Sequence, residues 1–261
     1  MSQTIEQHNR EIHSNAEAWK RKPVLRKIYQ QFYRNITLFL LKETDGLTVE
    51  LGSGMGNVKD VIPNCITTDL FPNPWLDRVE NAYALTFANE SLANLILFDV
   101  WHHLQHPGTA LREFCRVLRP GGRLVLFEPA MGLLGKLIYG SFHHEPLGLR
   151  EPIQMDAPAG FDPRNHDYYA AQGNCWRMFR HKASRPELAD WTVRETAFFS
   201  ALAYIGSGGF SGPQMYPAFL LPCIHVLEKL FNCFPSLFAT RMLVVLEKGP
   251  RRSESDAMQA G

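Results

Sequence analysis

Apolar residues recur at helical spacing from Val24 to Leu41, with Leu25, Ile28, Phe32, Ile36 and Leu40 on one face, the pattern of an amphipathic helix. Upstream, Ser14 and Glu17 have capping-box spacing ahead of Ala16 to Arg21, so two helices are expected before the first strand. Past the Asp45-Gly46 turn the period changes. Leu47 to Leu51 is a short apolar run with β-branched Thr48 and Val49, as in a strand buried on both faces. Cys65 to Thr68 ending at Asp69, Leu95 to Phe98 ending at Asp99, and Arg123 to Phe127 repeat it. Between these runs lie a short helix, Asn57 to Ile62, and a longer one, Thr109 to Leu118, which Arg119-Pro120-Gly121-Gly122 closes in a turn. Strand and helix alternate, which predicts a parallel α/β sheet with helices on both faces.

From Ala130 to Asp190 the rhythm breaks into Gly, Pro, His and aromatic residues with one candidate helix, Leu133 to Tyr139. The expectation is a cap inserted over the sheet edge. A capping box at Ser184 and Glu187 then opens a short helix. Thr192 to Tyr204 reads as strand, Gly206 to Pro213 as a flexible loop able to serve as a lid, Tyr216 to Phe231 as helix and Ala239 to Glu247 as the last strand. The helix at 216–231 is apolar nearly all round. Burial is the expected reason, with dimerisation or contact with a lipid-like substrate as the other readings. The organisation expected is one domain over residues 1–250: N-terminal helices (1–44), a core (45–129), the cap (130–190) and C-terminal strands with the lid (191–250). A polar tail follows at 251–261.

Of the 261 residues 45% are hydrophobic and 20% charged, which excludes a disordered or fibrous chain. Lys and Arg number 27 against 26 Asp and Glu, so no basic field points to nucleic acid. The five cysteines are scattered without a CxxC pair, which fits a reducing cytoplasm. The polar N-terminus has no apolar signal-like stretch, and Tyr216 to Phe238 is interrupted by three prolines. Neither export nor a membrane span is expected, and a peripheral membrane contact stays open.

The chemistry concentrates at Glu50-Leu51-Gly52-Ser53-Gly54-Met55-Gly56. Three alternate glycines at a strand-to-helix turn let the backbone bend tightly and approach a ligand. Dinucleotide sites, methyl-donor sites and ordinary turns all use such a loop. Glu50, just ahead of the glycines, would repel a pyrophosphate but suits a cationic amino group or an ordered water. Asp69, closing the second strand, stands where an acid takes both hydroxyls of a ribose. Leu70 and Phe71 beside it are apolar packing for an adenine face or simple core. Read without function, Glu50 is a helix cap and Asp69 the start of a turn with Asn73 and Pro74.

Taken in order, E50LGSGMG56, Asp69, N81AYALTF87, L95ILFDVWHHL104 and L118RPGG122 resemble the successive motifs of class I S-adenosylmethionine-dependent methyltransferases. The resemblance is to the small-molecule type that includes the ubiquinone and menaquinone C-methyltransferases, and it runs from about Thr48 to Pro129. It implies a Rossmann-like sheet of seven strands, the last antiparallel. S-adenosylmethionine would lie across the strand ends, with Glu50, Gly52, Gly54 and Gly56 at its methionine portion and Asp69 at its ribose. An Asp-Ala pair that reads adenine in that family is Asn81-Ala82 here, and an amide oxygen accepts the same bond.

The fourth strand should end under the sulfonium, with Asp99 counted among the cofactor-binding residues, and the acceptor should face Asp99, Trp101, His102 and His103. His103, with His102 second, is the candidate base for a hydroxyl acceptor. Both histidines otherwise read as structural lining at a helix start. Phe142-His143-His144-Glu145 offers ligand types for a metal beside Asp156 or Asp162. Ligand types alone do not make a site, so no metal is assigned and loop polarity is expected there. The function expected is methyl transfer to a small-molecule or lipid-linked acceptor, oxygen favoured over carbon or nitrogen, with a homodimer left open. The rival readings are a scaffold or regulatory subunit that kept the fold without transfer and a nicotinamide oxidoreductase. No motif for a nucleic-acid or protein acceptor stands after the fourth strand, where Asp99-Val100-Trp101-His102 is found instead.

Overall fold

The computed structural model describes residues 5–42, 46–164, 168–181 and 186–250. Its centre is the sequence Leu92–Phe98, the strand β4, every residue of which is buried. Such a run can only sit between neighbours and under helices on both faces. β4 pairs in parallel with β1 (Leu47–Leu51) and β5 (Leu118–Pro129). β1 continues in parallel to β2 (Ile66–Asp69), and β2 to the two-residue β3 (Arg78–Val79). On the far side β5 pairs antiparallel with β7 (Arg241–Lys248), which pairs antiparallel with β6 (Trp191–Phe199). The order is β3-β2-β1-β4-β5-β7-β6. The seven-stranded, mostly parallel sheet with the last strand antiparallel is the one expected.

Two apolar layers cover the sheet. On one face α2 (Pro23–Thr37) buries Leu25, Ile28, Phe32 and Ile36 against Ile96, Phe98, Val125 and Phe127. On the other α3 (Pro107–Val117) buries Ala110, Leu111, Phe114 and Val117 against Leu95, Leu97 and Leu124. Alternate residues of the same strands thus feed opposite faces. The 119–122 turn lies inside β5 as an interruption: Leu118 faces Leu92, and pairing resumes at Arg123 with Asn94.

α1 (Ile5–Arg21) precedes α2. Ser14 is therefore inside α1 and caps nothing, because the polar N-terminal segment is helical throughout its described length. The second helix stops at Thr37, not Leu41. Asn57–Asp60 is a 3-10 turn in place of the expected short helix. The insertion holds α4 (Leu133–Phe142) and α5 (Asn174–Phe179), with neither helix nor strand among the described residues between them. The strand expected to reach Tyr204 ends at Phe199, and α6 (Leu202–Gly206) follows. Ala201 at φ +46° makes that turn possible. α7 (Leu221–Phe231) and the short α8 (Pro235–Phe238) lead into β7.

The burial expected for the 216–231 helix is overturned. Of α7 only Leu221 is buried, while Phe219 is 77% and Val226 67% exposed. Phe234 and Leu237, and Leu133, Leu137 and Phe142 of α4, are exposed as well, and α4 packs against α8. No helix among the described residues is long and apolar enough to cross a membrane. Asp45, Ser184 and the 251–261 tail, for which a turn, a cap and a polar tail were expected, lie outside the described residues.

Candidate active site

The glycine loop leaves β1 with Gly52, Gly54 and Gly56 all at positive φ, +68°, +53° and +69°, conformations that a side chain resists. At Gly52 the constraint is also steric: a Cβ would lie 2.3 Å from Val100 Cγ2. The missing side chain lets the segment after β4 pack directly on the loop after β1. Asp69 Oδ2 accepts from the Gly54 N–H at 3.0 Å and Oδ1 from the Leu70 N–H at 2.7 Å. Asn73 Nδ2 donates to the Gly54 carbonyl at 3.0 Å. The β2 end therefore holds the loop open from one side.

Glu50 is fully buried. Tyr33 of α2 donates to its Oε1 at 2.8 Å, whereas Oε2 has no hydrogen-bond partner. Burial, only partly offset by the Tyr33 hydroxyl, pushes the Glu50 carboxyl up to about 7. Over the loop lies α1. Ile12 reaches the Cβ position of Gly54 at 3.3 Å, and His8 Nε2 stands 3.7 Å from Asp69 Oδ2 with its ring edge-on to Phe71. Asp69 raises the His8 pKa against the opposing effect of burial.

Asn81 is spent on other contacts. Its Oδ1 accepts from the Tyr83 N–H at 2.9 Å and its Nδ2 donates to the Pro163 carbonyl of the insertion. Ala82 packs beside it at the edge of the core. Asp99, at φ +57°, forms an ion pair with buried Arg241 at the start of β7, whose guanidinium lies 4.9 Å from the Tyr204 ring centroid.

His102 and His103 form a 3-10 turn after β4. Glu128, the buried acid one residue before the end of β5, accepts from the Val100 and Trp101 N–H groups at 2.8 and 2.7 Å with Oε1, and lies 2.7 Å from His102 Nδ1 with Oε2. Burial opposes charge on His102, but Glu128 and then Glu145 outweigh it and push the ring up to about 10. His103 goes the other way: burial and the neighbouring His102 charge bring it down to about 4. The Glu145 side chain, 8% exposed, has both its oxygens near these rings, and Tyr168 and Gln172 donate to it. The histidines hold its carboxyl below the usual range in spite of burial.

Loop polarity is thus not the explanation for Glu145. The expected company is also different, since Asp156 pairs with Arg112 and Asp162 with Arg164. The insertion brings Glu145 to the histidine pair instead. Sequence reasoning missed Tyr33, Glu128 and Arg241; Glu128 shared the signal of Asp69 and Asp99, an acid closing a buried strand.

Residues 50–126 match the family model described as methyltransferase domain. Over that stretch, about three-tenths of the chain, the sequence is similar to a methyltransferase domain. Solved methyltransferases share the fold of this chain at low identity. A SAM-dependent methyltransferase from Thermotoga maritima, described as a possible histamine N-methyltransferase, is 13% identical with a TM-score of 0.51, over 91% of this chain and 99% of that one. Geranyl diphosphate methyltransferase in complex with SAM is 11% identical with a TM-score of 0.50, over 84% of this chain and 85% of that one. Among curated proteins none matches this chain.

Proposed function

We propose that this methyltransferase transfers the methyl group to an oxygen of a small or lipid-like acceptor held beneath the inserted cap. The observation that carries the reading is the packing of Val100 on Gly52, which sets the His102–His103 turn beside the glycine loop. Donor and acceptor sites then share one edge of the sheet. The residues suit the cofactor. Glu50 Oε2 is a buried acceptor without a partner, fit for the amino group of the methionine portion. Gly52, Gly54 and Gly56 leave the backbone approachable, and Asp69 with Leu70 stands where ribose and adenine go. In this reading Asn81 fastens the cap, and adenine is bordered by Ala82.

When bound, S-adenosylmethionine supplies an electrophilic methyl carbon on sulfur with a neutral thioether as leaving group. The chain's task is alignment and control of one proton. Glu128 fixes the His102 ring and the backbone of its turn. His103, Glu145 and Tyr168 surround the place where an acceptor hydroxyl would give up its proton. The exposed apolar residues of α4, α7 and α8, with Lys136 of α4 and Lys229 of α7 also exposed, suit a lipid-like acceptor presented at an anionic membrane surface.

The test is transfer of labelled methyl from S-adenosylmethionine to phenols, quinols and lipid-linked glycans, with and without anionic vesicles. Thermal stabilisation by S-adenosylhomocysteine, lost in Asp69→Ala, accompanies it. Label on an oxygen acceptor supports the reading. Label only on nitrogen or carbon overturns the choice of oxygen, and binding without any transfer favours the scaffold reading.

A further inference from the structure

Each of the two histidines after β4 is tied back by its Nδ1. His102 Nδ1 lies 2.7 Å from Glu128 Oε2, and His103 Nδ1 lies 2.9 Å from the Tyr169 carbonyl. With the Nδ1 proton held this way, a ring that gives up its other proton to a metal ion presents a lone pair at Nε2, the arrangement in which a carboxylate or carbonyl orients a metal-ligating imidazole.

Both Nε2 atoms converge on one carboxylate. His102 Nε2 is 3.6 Å from Glu145 Oε2, and His103 Nε2 is 3.7 Å from Glu145 Oε1. One nitrogen from each ring and one carboxylate oxygen lie within 4.8 Å of one another. Separations of 3.6 and 3.7 Å are too long for N–H···O hydrogen bonds. They are close to the edge of a tetrahedral shell, where bonds of about 2.0–2.1 Å place ligand atoms roughly 3.4 Å apart. His143 Nδ1 stands 3.7 Å from the same Glu145 Oε2, a further donor on the exposed side. Tyr168 and Gln172 donate to Glu145, as the outer partners of a ligating carboxylate do.

The neighbouring group Asp99, His102 and Glu128 does not compete. Glu128 is saturated by two backbone N–H groups and His102, and Asp99 is paired with Arg241.

We infer that His102, His103 and Glu145 bind a divalent transition-metal ion, zinc first by the mixture of two imidazole nitrogens and one carboxylate oxygen. This departs from the sequence reading, which assigned no metal, because Glu145 lies 42 residues from His103 and only the fold unites them. Three protein ligands leave a coordination position for water or a substrate oxygen. That the occupant is the acceptor hydroxyl rests on the function proposed above; ion binding itself does not.

The test uses the full chain, stripped with chelator and dialysed against zinc, with metal content measured by plasma mass spectrometry. Cobalt substitution is read by visible absorption. The expected result is about one zinc per chain and the intense bands of low-coordinate cobalt. Both are lost in His103→Ala and in Glu145→Ala and kept in His144→Ala. His102→Ala is avoided, since it leaves Glu128 buried without its partner. Cooperative thermal unfolding of each variant separates loss of ligand from loss of fold. Wild-type protein that retains no stoichiometric zinc overturns the inference and leaves a metal-free His–Glu cluster. Equal retention in folded His103→Ala and Glu145→Ala overturns it too. Zinc binding without oxygen methylation leaves the inference standing and removes only the acceptor reading.

Discussion

At the scale of single residues Glu50 makes the sharpest claim. Its folded pKa is about 7 against an ordinary 4.5, so the folded chain holds a proton that the unfolded chain has released. The stabilising contribution is full below pH 4.5 and is lost as pH rises through about 7, a change of a few kcal/mol at most. Urea unfolding of wild type and Glu50→Gln should therefore show the wild type losing ground between pH 5 and 7.5, with the difference flat outside that window. A cationic cofactor favours the carboxylate, so its binding should release a proton below pH 7, measurable by titration calorimetry in buffers of different ionisation enthalpy. The glycines supply a second pair. Gly52→Ala meets Val100 at 2.3 Å at a positive φ, whereas Gly121, at φ +73°, has nothing within 4 Å. Gly121→Ala should cost only the backbone penalty of about 1 kcal/mol, and Gly52→Ala clearly more, on the order of 2–4 kcal/mol. Equal losses of stability in the two variants would remove the argument that Gly52 exists for the approach of β4 to β1. These residues were legible because their signals are local: an acid and three glycines at a strand end. Arg241 was not, and Glu145 was read only as a ligand type beside His143 and His144, because each acquires its meaning from a partner 142 or 42 positions away, Asp99 and His103 respectively.

At the scale of elements, the parallel strands were readable because a run buried on both faces has no polar alternation to blur it. β3 has two exposed residues, of which only Val79 is apolar, too few to make a run. α7 misled for the opposite reason: an all-round apolar helix looks buried, yet among the described residues only its Leu221 is buried. If that face meets lipid, Val226→Glu with Leu230→Glu should abolish co-flotation with anionic vesicles and leave the unfolding midpoint within a degree or two, since exposed positions carry little stability. Loss of a dimer by analytical ultracentrifugation, with vesicle binding absent in the wild type, would assign the face to a second copy instead. The glycine-rich loop is likewise better held than its composition suggests. Lys22, at the joint of α1 and α2, donates to the carbonyls of Ser207, Gly209 and Gly212, the first two at 3.3 and 2.6 Å. Lys22→Met should raise hydrogen exchange over residues 207–213 and in α1 together. Unchanged exchange in α1 would separate the loop from the helix that lies on the cofactor loop.

The whole molecule joins two kinds of sheet, a parallel half that carries the glycine loop and an antiparallel half that ends in β7, and the Asp99–Arg241 pair closes the seam at the functional edge. The two partners are not equivalent. The Arg241 side chain is 3% exposed and that of Asp99 31%. Removing the carboxylate strands a buried guanidinium, while removing the guanidinium leaves a carboxylate that water can reach. Asp99→Ala should therefore destabilise by roughly 3–5 kcal/mol, and Arg241→Met by less, because its apolar chain still fills the space beside Tyr29, Tyr139 and Tyr204. The double variant should recover part of the Asp99→Ala loss, since no buried charge is then left without a partner. Asp99 also stands directly after β4 and three residues before His102, so the pair sets where the histidine turn begins. Its loss should lower methyl transfer more than it weakens S-adenosylhomocysteine binding, with the affinity read by calorimetry and the rate by labelled transfer. A variant that loses stability while transfer and binding fall together would confine the pair to holding the sheet.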